Sequence, residues 1–474
     1  MSWLVLSSLF FYGWWNPAYL GLIIFSMLFN YAFGRMLSTG DKPQIRKYLL
    51  WVGIATNLGF LGYFKYANFF IDQLNWVTNS NFHLEKILLP LAISFFTFQQ
   101  VAFLVDSYRH ETKEFNFLQY CLFVTFFPQL IAGPIVHHKG MMPQFASNHI
   151  YKINYQSLTI GLIIFTIGLF KKVVLADGVS VYATPIFLEA EAGVALTLFS
   201  AWGGALAYTL QLYFDFSGYS DMAIGVALMF GINLPINFNS PYKSLSIIEF
   251  WRRWHMTLSR FLRDYLYITL GGSRKGNIRR YINLFITMLL GGIWHGAGWT
   301  FIVWGALHGT YLVINHTWRK LRFDIIKFPT EVGGIEKFFA RTLTLIAVIV
   351  GWVYFRAETV NGANQIIYSM IGGNGISFPG SLEAIIGNSF EHLGVTFEGM
   401  FLGTQASLGE GIKWILLLLV VALYFPNSQE IISYQEANTL SKNKVYLMGI
   451  AVGTCLYYIF TQLSSDAEFL YFNF

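Results

Sequence analysis

Long, mostly apolar runs recur along this chain from one end to the other, and few architectures can accommodate them. A helix needs about 20 apolar residues to cross ~30 Å of hydrocarbon. Runs of that order lie near 17–36, 48–70, 87–105, 117–136 and 156–176, and again near 195–214, 219–236, 298–316, 338–358, 412–425 and 445–462. The pattern predicts an all-α polytopic membrane protein of about eleven transmembrane helices. Shorter apolar pieces at 3–12 and 281–294 are expected to be re-entrant, interfacial or broken. Only 12% of the residues are charged, against roughly 25% in soluble domains, so a water-soluble fold would lack the polar side chains to cover itself. Aromatic residues make up 18% of the chain, which suits belts at the membrane surfaces. No internal repeat or long polar linker interrupts the sequence. A single domain over 1–474 is expected, with a core at about 85–320 and a less distinctive part at 321–474.

Cys121 and Cys455 each sit inside an apolar run, which indicates small core residues rather than a disulfide framework or a thiolate metal cluster. Met1 to Tyr12 carries no basic n-region, and the first cations follow the first long run, at Arg35, Lys42, Arg46 and Lys47. That run is expected to remain as an uncleaved helix with its C-terminal end in the cytoplasm.

Charge then orients the rest. Between Glu249 and Arg280, eight cations (Arg252, Arg253, Arg260, Arg263, Arg274, Lys275, Arg279, Arg280) stand against two acids, Glu249 and Asp264, so this window alone carries +6, the formal charge of the whole chain. Excess Lys and Arg mark a cytoplasmic segment. From Asn361 to Glu410 there is no Lys or Arg, while Glu383, Glu391, Glu398, Glu410 and many glycines occur, as in an external or interfacial excursion. Alternation from there puts the C-terminus outside; around 137–195 the charges do not choose between topologies.

The residues with the most chemical content lie between Asp215 and Gly298. Leaving the basic window at Arg280, the chain is apolar from Tyr281 to Trp294, a helical rise of roughly 21 Å and short of a full crossing. Gly291, Gly292, Gly296 and Gly298 are expected to break or loosen the helix before a new run from Trp299 returns to Arg319. His295 should therefore lie within the membrane thickness, nearer the outer face. An ionisable group at that depth is costly, and irregular backbone is tolerated there only where protein buries it or a watery cavity touches it, so a functional role comes first. The competing role is a neutral imidazole bridging two helices. Imidazole titrates near neutrality and can take a proton from a hydroxyl, as a general base for acyl transfer must.

His255 lies in the basic window, where Trp251, Trp254 and Leu258 share a helical face and Arg252 and Arg253 flank it. It suits either catalysis or an interfacial position among snorkelling arginines. The cations likewise suit either anionic headgroups or the phosphates of a nucleotide-bearing acyl donor, because a guanidinium fork matches phosphate oxygens. Asp215 and Asp221, beside Gly218 and Tyr219, suit a polar clasp between helices, paired with Arg or Tyr. No carboxylate and histidine cluster with metal-ligand spacing accompanies them, and no metal is expected. His137 and His138 follow a helix end at Pro128 to Pro134, His308 suits a helix-packing contact, and His83, His110, His149, His316 and His392 suit loops or interfaces.

Six pieces in order, Phe64 to Phe69, Ile93 to Gln99, Pro128 to Pro134, Asp215 to Asp221, Phe250 to His255 and Trp294 to Gly296, resemble the membrane-bound O-acyltransferases. They cover most of residues 1–320. Arg263 to Tyr267 with Leu270 to Arg274 resembles the bacterial alginate O-acetyltransferase branch more closely than the teichoic acid D-alanyl transfer branch. The resemblance implies helices around a central channel, with acyl-coenzyme A entering from the cytoplasm and an acceptor hydroxyl from outside. His295 then matches the catalytic histidine and His255 the second site position. Arg252, Arg253 and Arg260, with Trp251 and Trp254, would meet the donor, while Asp215, Tyr219, Asp221 and Trp294 would shape the channel.

The expected activity is acyl transfer, most simply of acetyl, to an extracytoplasmic polysaccharide such as alginate from a bacterial inner membrane. Acetyl-coenzyme A would be a co-substrate, with no tightly bound cofactor. Membrane lipids and an extracytoplasmic acetyltransferase or polysaccharide-modifying protein are the expected partners, and nucleic acid is not. A proton-coupled transporter or flippase using the intramembrane histidine is the alternative, and a scaffold for export machinery a third.

Overall fold

Polar and small side chains, rather than a simple apolar core, tie the first helices together. The computed structural model describes residues 1–112, 116–327, 333–378, 383, 395–397, 408–431, 442–462 and 470. The chain forms two compact units, one of Met1–Phe165 with Tyr219–Asn237, the other of Thr166–Gly218 with Phe238–Phe474. In the first unit, helices α1 (Leu20–Thr39), α2 (Pro43–Leu61) and α3 (Ile93–Tyr108) pack together. Asn30 and Asn57 exchange amide hydrogen bonds of 3.1 and 2.7 Å between α1 and α2. Gln100 Nε2 donates to Ser26 Oγ at 3.4 Å, joining α3 to α1. Where lipid is as apolar as leucine, such bonds and close small-residue contacts supply the association. Gly34 makes room for the Phe103 ring and Gly53 for Leu104.

The second unit carries the residues of chemical interest. Helix α4 (Leu198–Met229) runs 32 residues, about 48 Å at 1.5 Å per residue, and supplies its first part to this unit. Two short helices follow, α5 (Ile247–Arg253) and α6 (Met256–Phe261), then a long hairpin of α7 (Gly276–His295) and α8 (Trp299–Arg319), and then α9 (Gly334–Arg356). Trp304, Trp352, Phe250, Tyr208 and Phe187 are among its largest fully buried side chains. Strand pairing is confined, among the described residues, to a parallel contact of Ile376–Ser377 with Val395–Thr396.

Three expectations change on the structure. The runs near 195–214 and 219–236 are one helix, α4, because a Cβ at Gly218 would stand 2.7 Å from Gly168 O. That glycine serves close packing and not a break. The run near 117–136 is broken instead, into Phe117–Thr125 and Phe127–Leu130, with Pro128 starting the second piece. Gly291 and Gly292 do not interrupt α7, which continues to His295. A Cβ on Gly292 would lie 2.3 Å from Phe301 O and 2.9 Å from Gly305 Cα, and one on Gly305 would lie 2.7 Å from Met288 O. The glycines let the backbones of α7 and α8 touch.

Among the described residues, three helical stretches, Pro17–Thr39, Tyr155–Glu191 and Gly334–Arg356, are long and apolar enough to cross a membrane by length and composition. The chain is mostly helical with membrane-crossing helices, but helix length and hydropathy do not recover the fuller count of about eleven. Of the expected excursion, Val360–Met370 is a helix. Glu391, His392 and Glu398 lie outside the described residues.

Candidate active site

Helix α5 begins where Ser246 caps it. Ser246 Oγ accepts from Glu249 N at 3.2 Å, and Glu249 Oε2 accepts from Leu245 N at 2.9 Å, a reciprocal closure of the first turn. The other Glu249 oxygen takes Arg253 Nε at 3.0 Å, while Arg253 Nη1 donates to Asn239 O at 3.2 Å. Arg253 thus braces α5 against the preceding loop.

The helix stops at Arg253, and His255, just before α6, has a left-handed φ of +41° and ψ of 54°. A non-glycine residue held in such a sparsely populated conformation costs about 1–3 kcal/mol and persists only where its surroundings enforce it. Here they do. The His255 ring sits edge-on to Phe216, centres 4.9 Å apart, and against Phe238 at 6.4 Å. His255 is almost wholly buried, at 1% exposed.

His295 is the last residue of α7, before Gly296 turns the chain toward α8. Its ring packs against Trp294, Trp304 and Phe355, with centres 4.8, 5.1 and 5.1 Å away. Trp304 is also 4.9 Å from His308. His308 Nδ1 accepts the Trp251 indole N–H at 3.3 Å. Rings continue from His255 through Phe238, Trp254, Trp352 and Phe355 to His295. Three histidines therefore belong to one aromatic cluster. Their exposures differ: 0% for His308, 1% for His255 and 7% for His295. Of the three, His295 keeps the most surface for a small reactant to reach.

The remaining candidates divide. Trp251 and Trp254 are buried in the ring cluster rather than on the basic surface. Arg252 and Arg260 are exposed. Asp215 lies on α4 and pairs with neither Arg nor Tyr as expected. Its partner is Lys172, at 2.8 Å, which also meets Asp177 at 2.6 Å. Leu470 N donates to the second Asp215 oxygen at 3.3 Å. Tyr219 and Asp221 belong to the first unit, where Tyr219 is hydrogen-bonded to the backbone of Ala132 and Asp221 is buried. Among the described residues, no group of three His, Cys, Asp or Glu is placed to hold a metal ion. Cys121 and Cys455 are free thiols.

Sequence reasoning missed Lys172 and the rings that frame His295 from other helices, Trp304, Trp352 and Phe355. It also set His308 apart as a packing residue. The readable signal was the four-residue step from Trp304 to His308, which puts both on one helical face.

Histidines held in aromatic walls within apolar helices point to chemistry done by side chains in a membrane. Comparison with known proteins is consistent with that. Residues 46–347 match the membrane-bound O-acyltransferase family. A peptidoglycan O-acetyltransferase of Helicobacter pylori is 41% identical over 100% of this chain and 91% of its own. A probable alginate O-acetylase of Azotobacter vinelandii is 44% identical over 77% of this chain and 72% of its own. More distantly, a teichoic acid D-alanyltransferase of Streptococcus thermophilus is 31% identical over 52% of this chain and 62% of its own. With the family match spanning residues 46–347 and a 41% identical relative spanning the whole of it, the chain belongs to the membrane-bound O-acyltransferase family and is a membrane-embedded acyltransferase.

Proposed function

We propose that the chain is an O-acetyltransferase that takes acetyl from acetyl-coenzyme A on the cytoplasmic side of a bacterial inner membrane. It delivers that group to a hydroxyl of an extracytoplasmic glycan, directly or through a partner protein. The observation that carries this reading is His295, an imidazole at a helix end inside apolar structure, more exposed than the two histidines clustered with it. His295 takes the acceptor's hydroxyl proton as the new C–O bond forms at the thioester carbonyl. It returns that proton to the departing thiolate as the C–S bond breaks. The cation formed in between lies at a helix C-terminus, where the macrodipole favours positive charge. His255, rigidly held between Phe216 and Phe238, orients the site, and Arg252 and Arg260 face the donor's phosphates.

Among acceptors, peptidoglycan is the first to test. The relative named for it matches the whole chain, including the C-terminal part, whereas the alginate relative matches 77%. The decisive experiment compares surface glycans by mass spectrometry from cells carrying the wild type or H295A. H295A should leave a folded protein and a glycan stripped of its O-acetyl groups. Normal acetylation by H295A would overturn the assignment. Solute movement without thiol release from acetyl-coenzyme A would favour a transporter instead.

A further inference from the structure

The attack drawn above puts negative charge on the thioester carbonyl oxygen, and no group named so far receives it. Helix α8 carries two donors suited to that task. The Trp304 ring lies 5.1 Å from His295 and 4.9 Å from His308, one turn further along α8. Trp304 is 1% exposed and His308 0%. Among the described residues, neither the Trp304 indole N–H nor His308 Nε2 has a hydrogen-bond partner.

The position of the His308 proton follows from its one polar contact. Nδ1 accepts the Trp251 indole N–H at 3.3 Å, so the ring's own proton stands on Nε2, which is therefore a donor. Across from it α9 carries Gly351, where a Cβ would lie 2.8 Å from Nε2, so that position offers no side-chain acceptor. Other indoles of the cluster are engaged: Trp251 with His308, and Trp352 with the Tyr242 hydroxyl. A donor buried without an acceptor costs stability, and native proteins keep few of them. Two such donors, a turn apart on the helix that walls His295, call for an acceptor that arrives with the substrate.

We infer that Trp304 Nε1–H and His308 Nε2–H hold the thioester carbonyl oxygen as it gains charge, an inference that rests on the acyl-transfer reading above. As the acceptor oxygen bonds to the carbonyl carbon and His295 takes its proton, the C=O π pair moves onto oxygen, to which the two N–H groups donate. Return of that pair re-forms C=O and expels the thiolate, which takes the proton from His295. Burial keeps water from competing for these donors, and fixed donors in a dry site stabilise developing charge most strongly.

The test uses everted membrane vesicles from cells that make the full chain and its acceptor glycan. Acetyl-coenzyme A is added outside, and thiol release is measured per folded protein, with H295A vesicles as the background. W304F keeps an aromatic ring but lacks the N–H, and should lower kcat by about 100-fold or more with KM for acetyl-coenzyme A unchanged. H308F should do the same. To separate the lost N–H from lost ring volume, Trp304 is also replaced by β-(3-benzothienyl)alanine, in which sulfur stands where the N–H was. That isostere should be as slow as W304F and unfold at no lower temperature than the wild type. Wild-type kcat in the isostere overturns the inference whatever W304F does, because the ring would then act by packing alone, and wild-type kcat in H308F overturns the two-donor arrangement. Wild-type vesicles that release no more thiol than H295A vesicles overturn the acyl-transfer reading itself, and this inference with it.

Discussion

Gly291 and Gly292 are neighbours on α7, one turn before His295, and the structure asks opposite things of them. A methyl group on Gly291 would meet only Leu262 Cδ1, at 3.4 Å, the far end of a flexible side chain. One on Gly292 would meet the backbone of α8 at 2.3 Å (Phe301 O) and 2.9 Å (Gly305 Cα). Backbone cannot rotate away, so G292A forces α7 and α8 apart. Overpacking of this kind costs about 1–3 kcal/mol, against a helix-propensity gain of about 1 kcal/mol that both alanines share. G291A should therefore be neutral or slightly stabilising, and G292A less stable than G291A by the full overpacking term. The function should suffer more. His295 and Trp304 lie on the two helices being separated, and misplacing a reacting group by ~1 Å can cost about a hundredfold in rate. The assay is thermal unfolding of each variant in the same detergent, beside acetyl transfer in cells lacking the wild-type chain. Equal stability and equal transfer in G291A and G292A would refute the idea that glycine contact between these helices positions His295.

Two further predictions concern the polar contacts behind the site. Lys172 stands between Asp177 and the fully buried Asp215, so K172M leaves the buried Asp215 carboxylate without its cation and should destabilise the protein by about 3–5 kcal/mol. K172M/D215L should recover part of that loss, and a K172M protein with wild-type thermal stability would show the ion pair to be idle. W251F keeps the ring packing but removes the indole N–H from His308 Nδ1. It should cost about 1–3 kcal/mol for the acceptor left buried, read by thermal unfolding, and an unchanged midpoint would mean that His308 finds another donor.

How much of this was legible beforehand follows from which forces act locally. The membrane setting and the apolar helices were readable because hydrocarbon demands apolar side chains and internally satisfied backbone, and composition records both. His295 and His255 stood out as candidates because ionisable residues in apolar company are rare. The glycines misled for a physical reason. In an isolated helix a glycine weakens the chain, and a sequence does not reveal whether another backbone will press against it. Gly292 facing Phe301 O is a contact between two helices, which the residues of α7 alone do not announce. Lys172 was hidden in the same way, since nothing near residue 172 announces that Asp215 will meet it. The Ser246 and Glu249 closure of α5 was the reverse case. Its spacing is a local signal, readable in advance, and it fixes the start of the short helix that leads to His255. Local rules thus decide where elements begin, and close approaches between distant elements decide which glycines and charges are tolerated inside them. The surroundings of His295 depend on the second kind, which is why residue types could single out the histidine while its walls, Trp304, Trp352 and Phe355, could not be read in advance.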